Sequence, residues 1–310
     1  MDQATLRLGT RRSPMAMSQS RHVAELITAR TGRQVELIGI TTFGDVSRAQ
    51  LTQIGGTGVF VSALRESLLS GEVDIAVHSL KDLPTAQPDR IMLAAVPPRD
   101  DPRDALVARD GAKLADLPPG ARIGTGSPRR AAQLRLLRPD IETVAIRGNA
   151  NTRMDKVLTG ELDAVVLAYA GLARIAHLDA VSQIFETDEM LPAPGQGCLA
   201  VECRGDDAGL AGLLGAINDV PSRVAATAER VMLGALEAGC SAPVGAFASL
   251  SGGILRLEGA VFGGGMRVLR DHGTAVPEEP DRLGRALAER MLEQGAAELM
   301  AAPQVDGRQE

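Results

Sequence analysis

Two distant stretches, LRLGTRRSPMAMSQS at 6–20 and ARIGTGSPRRAAQL at 121–134, share a short β-like run, a Gly-Thr step and a Ser-Pro pair opening a helical segment. Two further matches follow in the same order. VELIGI at 35–40 pairs with ETVAI at 142–146, and GEVDIAVHSLKDLP at 71–84 pairs with GELDAVVLAYAGLAR at 160–174, where Gly-Glu-x-Asp precedes an apolar run of strand length. Three matches in one order read as a duplication. Apolar runs alternating with helical patterns imply parallel sheets covered on both faces, so each copy is expected to be a small α/β domain. Ser13 and Ser127 suit the helix N-cap, where a hydroxyl satisfies a free amide, and Pro14 and Pro128 suit the first helical position, where no N–H is needed.

Between the copies, VPPRDDPRDALVAR at 96–109 has the prolines and charges of a crossover linker, and LPAPGQGCLAVECR at 191–204 leaves the second copy. Two crossings between two α/β domains predict a hinged cleft, with the chain returning to domain 1. Ligands in such sheets bind outside the carboxyl ends of the strands. After about residue 216 the pattern changes. A helix over 221–238, capped by Ser222 and stopped by Gly239, leads to strands near 244–250, 254–261 and 266–270 and a helix over 281–300, a smaller α+β domain. The expected domains are 1–97 with 198–215, then 103–191, then 219–303.

Composition narrows the function. A net charge of −6 argues against a nucleic-acid backbone binder, and no Trp, one Tyr and five Phe leave little for base stacking. No apolar run is long enough to span a bilayer, and MDQATLRLGT lacks the features of a signal peptide, so a cytoplasmic, non-membrane protein is expected. The three cysteines, at 198, 203 and 240, form no CxxC pair, which speaks against a disulfide framework or a zinc site. Each is a buried small hydrophobe or a reactive thiol.

Arginines nevertheless crowd the predicted strand-to-helix loops: Arg11 and Arg12, Arg129 and Arg130, Arg147 and Arg153, and Arg174. Helix N-termini favour anions, and guanidinium groups add bidentate pairing with carboxylate or phosphate. Taken singly, each could be a surface residue or a salt-bridge partner; at equivalent loops of two copies, the set describes a cleft for a small polyanion. HSLKDLPT at 78–85 puts Lys81 and Asp82 at the end of an apolar strand. A carboxylate there could exchange a proton with a leaving group or stabilise a cation, or merely pair with Lys81 or cap a helix. His78 reads as a core or supporting residue. GTGSPR at 124–129 is a weak dinucleotide signal, GGTGVF at 55–60 is no P-loop, and 43–60 reads as a loop over the cleft.

Together LGTRRSPMAMSQ, GEVDIAVHSLKDLPT, IGTGSPRRAAQL, AIRGNANTR, LPAPGQGCLAVECR and LEAGCSAPVGA resemble the porphobilinogen deaminase (hydroxymethylbilane synthase) family in order and spacing. The resemblance implies two duplicated type II periplasmic-binding-protein-like α/β domains with a hinged cleft, plus a smaller C-terminal α+β domain, acting as a monomer. It implies a transferase of tetrapyrrole biosynthesis that joins four porphobilinogen units with loss of ammonia, then frees the linear product with water. It implies a dipyrromethane cofactor tied by a thioether to Cys240 in EAGCSAP, and Asp82 as the catalytic acid. Lys81, Ser127, Arg129, Arg130 and Arg153 are implied as cofactor binders, and Arg11, Ser13, Arg147 and Arg174 as substrate binders. Pro128, Ala238 and Ser62-Ala63 depart from the residues common in the family. The rival reading is a non-catalytic anion-binding protein, which would need neither the cysteine loop nor Asp82.

Overall fold

The computed structural model describes residues 4–40, 58–239 and 242–301. In chain order the strands are β1 (Leu6–Arg11), β2 (Val35–Ile40), β3 (Ile75–Ser79), β4 (Ile91–Ala95), β5 (Asp104–Ala108), β6 (Arg122–Thr125), β7 (Glu142–Ala145), β8 (Ala164–Ala168), β9 (Gln183–Ile184), β10 (Leu199–Arg204), β11 (Val244–Ser251), β12 (Ile254–Phe262) and β13 (Val268–Ala275). The helices are α1 (Pro14–Thr31), α2 (Gly58–Leu69), α3 (Pro128–Leu137), α4 (Ala150–Leu158), α5 (Tyr169–Arg174), α6 (Ala208–Leu214), α7 (Val220–Ala235), α8 (Pro280–Glu293) and α9 (Ala296–Ala301). Contacts divide the chain into unit 1, Met1–Asp100 with Cys198–Arg223, and unit 2, Asp101–Gly197 with Val224–Glu310.

The duplication is written in the strand order. Unit 1 has the sheet β2-β1-β3-β10-β4 and unit 2 the sheet β7-β6-β8-β5-β9. In both, the first three strands are parallel and the fourth runs antiparallel to the third. That fourth strand, β5 or β10, is the first strand the chain forms after passing into the unit. This is the type II periplasmic-binding-protein-like arrangement. The paired helix starts match as well: Ser13 Oγ accepts from the Ala16 amide (3.3 Å) and Ser127 Oγ from the Arg130 amide (3.4 Å), each followed by proline.

Each sheet buries both faces, which explains runs that are apolar throughout. In unit 1, Leu8, Ile75, Val77 and Val201 pack against Val23 and Ile27 of α1 and Leu210 and Leu214 of α6, while Ile40 and Ala76 meet Leu64 and Leu68 of α2. In unit 2, Leu106, Ile123 and Val166 pack with Leu134 and Phe185, and Val107 and Val165 with Met154 and Val157. The linker reading of 96–109 runs too far, since all five residues of β5 are buried in the sheet. The prolines end at Pro102 and the run of charges at Asp104, the first residue of the strand, so only the apolar character of 105–108 marks it.

The C-terminal antiparallel sheet, β11-β12-β13, has its own core, where Ala228 and Met232 of α7 and Leu236 just after it meet Leu287 and Met291 of α8 over Ala246 and Leu257. Ser222 does not cap α7. Its amide donates to Asp219 Oδ2 (2.9 Å), so the earlier carboxylate takes the cap, and Ser222 Oγ accepts from the Arg99 amide (2.9 Å). Nor does Gly239 stop the helix. Glu237 takes the left-handed conformation (φ 54°), with bonds from its amide to Gly234 O and from the Ala238 amide to Leu233 O, because buried Leu236 and Ala238 pull the chain back onto the core. The helix expected over 281–300 is two helices, broken at Gly295 (φ 94°), and the third strand extends to Ala275.

Helices α7 and α8 meet at Gly284, where an added Cβ would lie 2.6 Å from Ala228 O and 2.9 Å from the Met232 nitrogen. Those are backbone atoms and cannot swing aside. Gly284→Ala is therefore expected to destabilise by about 1–3 kcal/mol in urea or thermal melts, despite alanine's better helix propensity. A rise in Tm would mean that the two helices separate freely.

Candidate functional site

In unit 1 the loops after β1 and β3, neighbouring parallel strands, carry the expected residues. Arg11 ends β1 and Ser13 caps α1; the Ser13 hydroxyl oxygen accepts the cap bond, which leaves its O–H to donate to a ligand. After β3, residues Leu80–Asp82 form a single 3₁₀ turn. Leu80 is fully buried, its amide donates to Cys198 O (3.0 Å), and the Leu83 amide returns to Leu80 O (3.1 Å). Gln19 Nε2 of α1 donates to Ser79 Oγ (2.8 Å), which ties the helix behind Ser13 to the strand behind Asp82. Lys81 and Asp82 are half-buried. Asp82 makes no hydrogen bond or ion pair among the described residues, so neither pairing with Lys81 nor helix capping accounts for it.

On the face covered by α2, His78, Glu202 and Arg65 form a buried cluster. Arg65 grips Glu202 with Nε to Oε2 (3.0 Å) and Nη2 to Oε1 (2.7 Å). His78 Nε2 lies 3.2 Å from Oε2, out of hydrogen-bond alignment, so Arg65 is the firm partner. Burial pushes the Glu202 carboxyl up, but His78 and Arg65 outweigh it and hold it at about 2. A folded pKa below the unfolded one adds stability that is present above pH 4.5 and lost as pH falls through about 2. Glu202→Gln is expected to be less stable at neutral pH and to lose less on acidification, by roughly 3 kcal/mol. Urea melts at several pH values check this; equal slopes for the two proteins would remove Glu202 from the acid response.

In unit 2 the parallel neighbours β7, β6 and β8 present the second set at their carboxyl ends. Ser127 follows β6, Arg147 and Arg153 follow β7, and Arg174 lies in α5 after β8. Arg147 is exposed and makes no hydrogen bond or ion pair among the described residues. Arg153 Nε donates to Gly148 O (2.9 Å), and Gly148 sits at φ 112°, open to glycine and strained for other residues. Arg174 Nη2 donates to Gly197 O (2.8 Å).

Arg129 and Arg130 are placed differently from the other arginines, at 2% and 6% exposure. Arg129 donates to Leu191 O (2.6 Å) and lies 2.8 Å from Asp104 Oδ2, while Arg130 donates to Asp104 Oδ1 and to Val166 O (3.1 Å). Desolvation lowers the Arg129 pKa and Asp104 partly restores it. Sequence reasoning missed Asp104, Gln196, Gln19 and Glu202. A carboxylate heading an apolar strand, as in RDALVA, and one inside a strand, as in LAVECR, were the available signals.

Cys240, the expected attachment residue, and residues 43–57 of the expected loop lie outside the described residues. The Ala242 amide donates to Gly239 O (2.9 Å), so the residues flanking Cys240-Ser241 are held together. Among the described residues no helix is long and apolar enough to cross a membrane.

Two α/β units of this topology, each with a serine-capped helix and arginines at the carboxyl ends of its parallel strands, and with Asp82 unpaired among the described residues, give the chain a periplasmic-binding-protein-like organisation. Residues 6–211 match the family model "Porphobilinogen deaminase, dipyromethane cofactor binding domain", and residues 224–293 match "Porphobilinogen deaminase, C-terminal domain". The chain belongs to the porphobilinogen deaminase family and carries that family's dipyrromethane cofactor-binding domain. It is 60% identical to the porphobilinogen deaminase of Thermobifida fusca over 97% of both chains. It is 56% identical to porphobilinogen deaminase 1 of Streptomyces coelicolor over 97% of this chain and 98% of that one. Among solved structures, a periplasmic substrate-binding protein of an ABC transporter from Coxiella burnetii aligns with TM-score 0.43 and 16% identity, covering 73% of this chain and 97% of that one.

Proposed function

We propose that this chain is a transferase that condenses four porphobilinogen molecules head to tail, releasing ammonia at each step, and frees the linear tetrapyrrole with water. The cofactor is dipyrromethane, and Cys240 is the residue that holds it through a thioether. The observation that carries the reading is Asp82, half-buried in the turn after β3 and unpaired among the described residues, inside the segment matched by the cofactor-binding family model.

The donors fit the cofactor. Its rings carry acetate and propionate groups, and unit 2 offers an exposed Arg147, the Arg153 guanidinium, the Ser127 hydroxyl and the N-terminus of α3. When bound, dipyrromethane supplies the unsubstituted pyrrole carbon to which the first substrate methylene is joined. Lys81, Ser127, Arg129, Arg130 and Arg153 hold cofactor carboxylates; Arg11, Ser13, Arg147 and Arg174 hold those of the substrate. Asp82 gives a proton to the leaving amine of porphobilinogen; as the carboxylate it then stabilises the cationic methylene-pyrrole left behind. Every unit added brings two more carboxylates, which is the use for arginines at so many loops.

The test is to incubate purified protein with porphobilinogen and follow ammonia release and product. Release of ammonia with formation of a linear tetrapyrrole is expected. Binding of porphobilinogen without ammonia release would favour the non-catalytic alternative.

A further inference from the structure

Asp104, the first residue of β5, is fully buried and gathers an unusual set of partners. Its Oδ1 accepts from Arg130 Nε (3.1 Å), Arg130 Nη2 (2.7 Å) and Gln196 Nε2 (2.8 Å), and its Oδ2 lies 2.8 Å from Arg129 Nη2. Gln196 Nε2 also donates to Pro102 O (2.7 Å). One carboxylate thus joins the segment where the chain enters unit 2, the segment where it leaves, and the first turn of α3.

Stability alone does not account for this cluster. Two guanidinium groups stand in the first helical turn, where the macrodipole disfavours cations, and they share a single buried carboxylate. Among the described residues one of the two positive charges has no counter-ion of its own in this desolvated place, and a buried charge is costly unless paired. Apolar residues of similar volume would pack there at lower cost. Arg130 donates through Nε, Nη1 and Nη2, three of its five N–H groups, so one remains on each terminal nitrogen. The excess charge lies at the end of the sheet that also carries Arg147 and Arg153.

We propose that Asp104 is a positioning residue for the porphobilinogen deaminase reaction: it fixes both guanidinium groups at the head of α3 and leaves one net positive charge there for a carboxylate of the cofactor or the growing chain. This rests on the proposed function. Asp104 touches no ligand itself and acts through Arg129 and Arg130.

The test compares wild-type protein with Asp104→Asn, Asp104→Glu and Gln196→Leu, each purified as expressed. Intact mass after acid denaturation gives the fraction carrying dipyrromethane, steady-state assays give kcat and KM per loaded chain, and melting gives Tm. Asp104→Asn is expected to lower loading, or raise KM in the loaded fraction, by about tenfold or more, with kcat changed much less. Asp104→Glu, which keeps the charge one methylene further out, is expected to recover part of this. Gln196→Leu, which removes one donor and spares the ion pairs, is expected to shift loading or KM the same way by about threefold, and carries the test if Asp104→Asn does not fold. Lower Tm with wild-type loading and KM in whichever variant folds would overturn the proposal and make Asp104 a support of the fold alone. Absence of dipyrromethane and turnover in the wild-type protein would instead overturn the function reading on which the proposal rests.

Discussion

Asp82→Asn is expected to lower kcat per loaded chain by about 10²–10⁴-fold, the usual contribution of a positioned acid or base, with Tm nearly unchanged. Asparagine keeps the size of the side chain and one carbonyl oxygen but has no proton to give and no charge to set against a cation. The surroundings make this substitution informative. The backbone of the 3₁₀ turn is held by buried Leu80, by the bond from its amide to Cys198 O and by the return bond from Leu83, none of which uses the Asp82 side chain. With no partner among the described residues, Asp82 has no ion pair whose loss would unfold the turn. Stopped-flow or quench measurements of ammonia release check the step directly. A variant with near wild-type kcat would end Asp82's role as the acid, and a fall in activity matched by a large fall in Tm would make the residue structural.

The duplicated α/β organisation was legible in the sequence because the same local physics is stated twice. A serine that caps, a proline that needs no amide partner and an apolar run of strand length are each readable without tertiary context, and both copies fold as that reading expects. What failed depended on long-range packing. Ser222 has the chemistry of a cap, yet Asp219 lies one turn earlier and takes the position; Gly239 has the freedom to stop a helix, yet buried Leu236 and Ala238 turn the chain two residues before it. β5 hid behind a proline-rich, charged lead because its partner β8 lies some sixty residues on.

Residues of the site were legible in type and less so in use. The arginines stand at equivalent loops, but their pattern does not separate Arg147, exposed and unpaired among the described residues, from Arg129, which is buried against Asp104 and Leu191 O. Neighbouring positions in SPRR give no hint of this, because the carboxylate that claims both arginines is supplied by a strand 25 residues earlier. Glu202 was equally hidden: an acid within an apolar strand is recognisable only once Arg65 is seen to reach it from α2.

Cys240→Ala is expected to give a chain of bare mass that neither carries dipyrromethane nor turns over porphobilinogen. The other two thiols offer no substitute. Cys198 and Cys203 are buried, and burial, with Asp207 adding to it, pushes the Cys203 thiol up to about 11, so it stays protonated at neutral pH. The helix before Cys240 ends at Ala235, so its dipole, which fades within a turn, does not decide the reactivity of a residue five positions on. What remains is the neighbourhood in sequence: Gly239, Ser241 and Ala242 provide no base of the kind a repeatedly used nucleophile needs. Attachment needs less. Once porphobilinogen has lost ammonia, its methylene carbon is a strong electrophile; the sulfur forms one S–C bond, releases its proton and does not react again. Fold should survive the substitution, since the bond from the Ala242 amide to Gly239 O is made by backbone on either side of it. Intact mass, followed by peptide mapping of the wild-type adduct, reads the outcome. Dipyrromethane mass persisting in Cys240→Ala, or an adduct mapped to Cys198 or Cys203, would transfer the attachment role to another residue and leave Cys240 as an ordinary loop thiol.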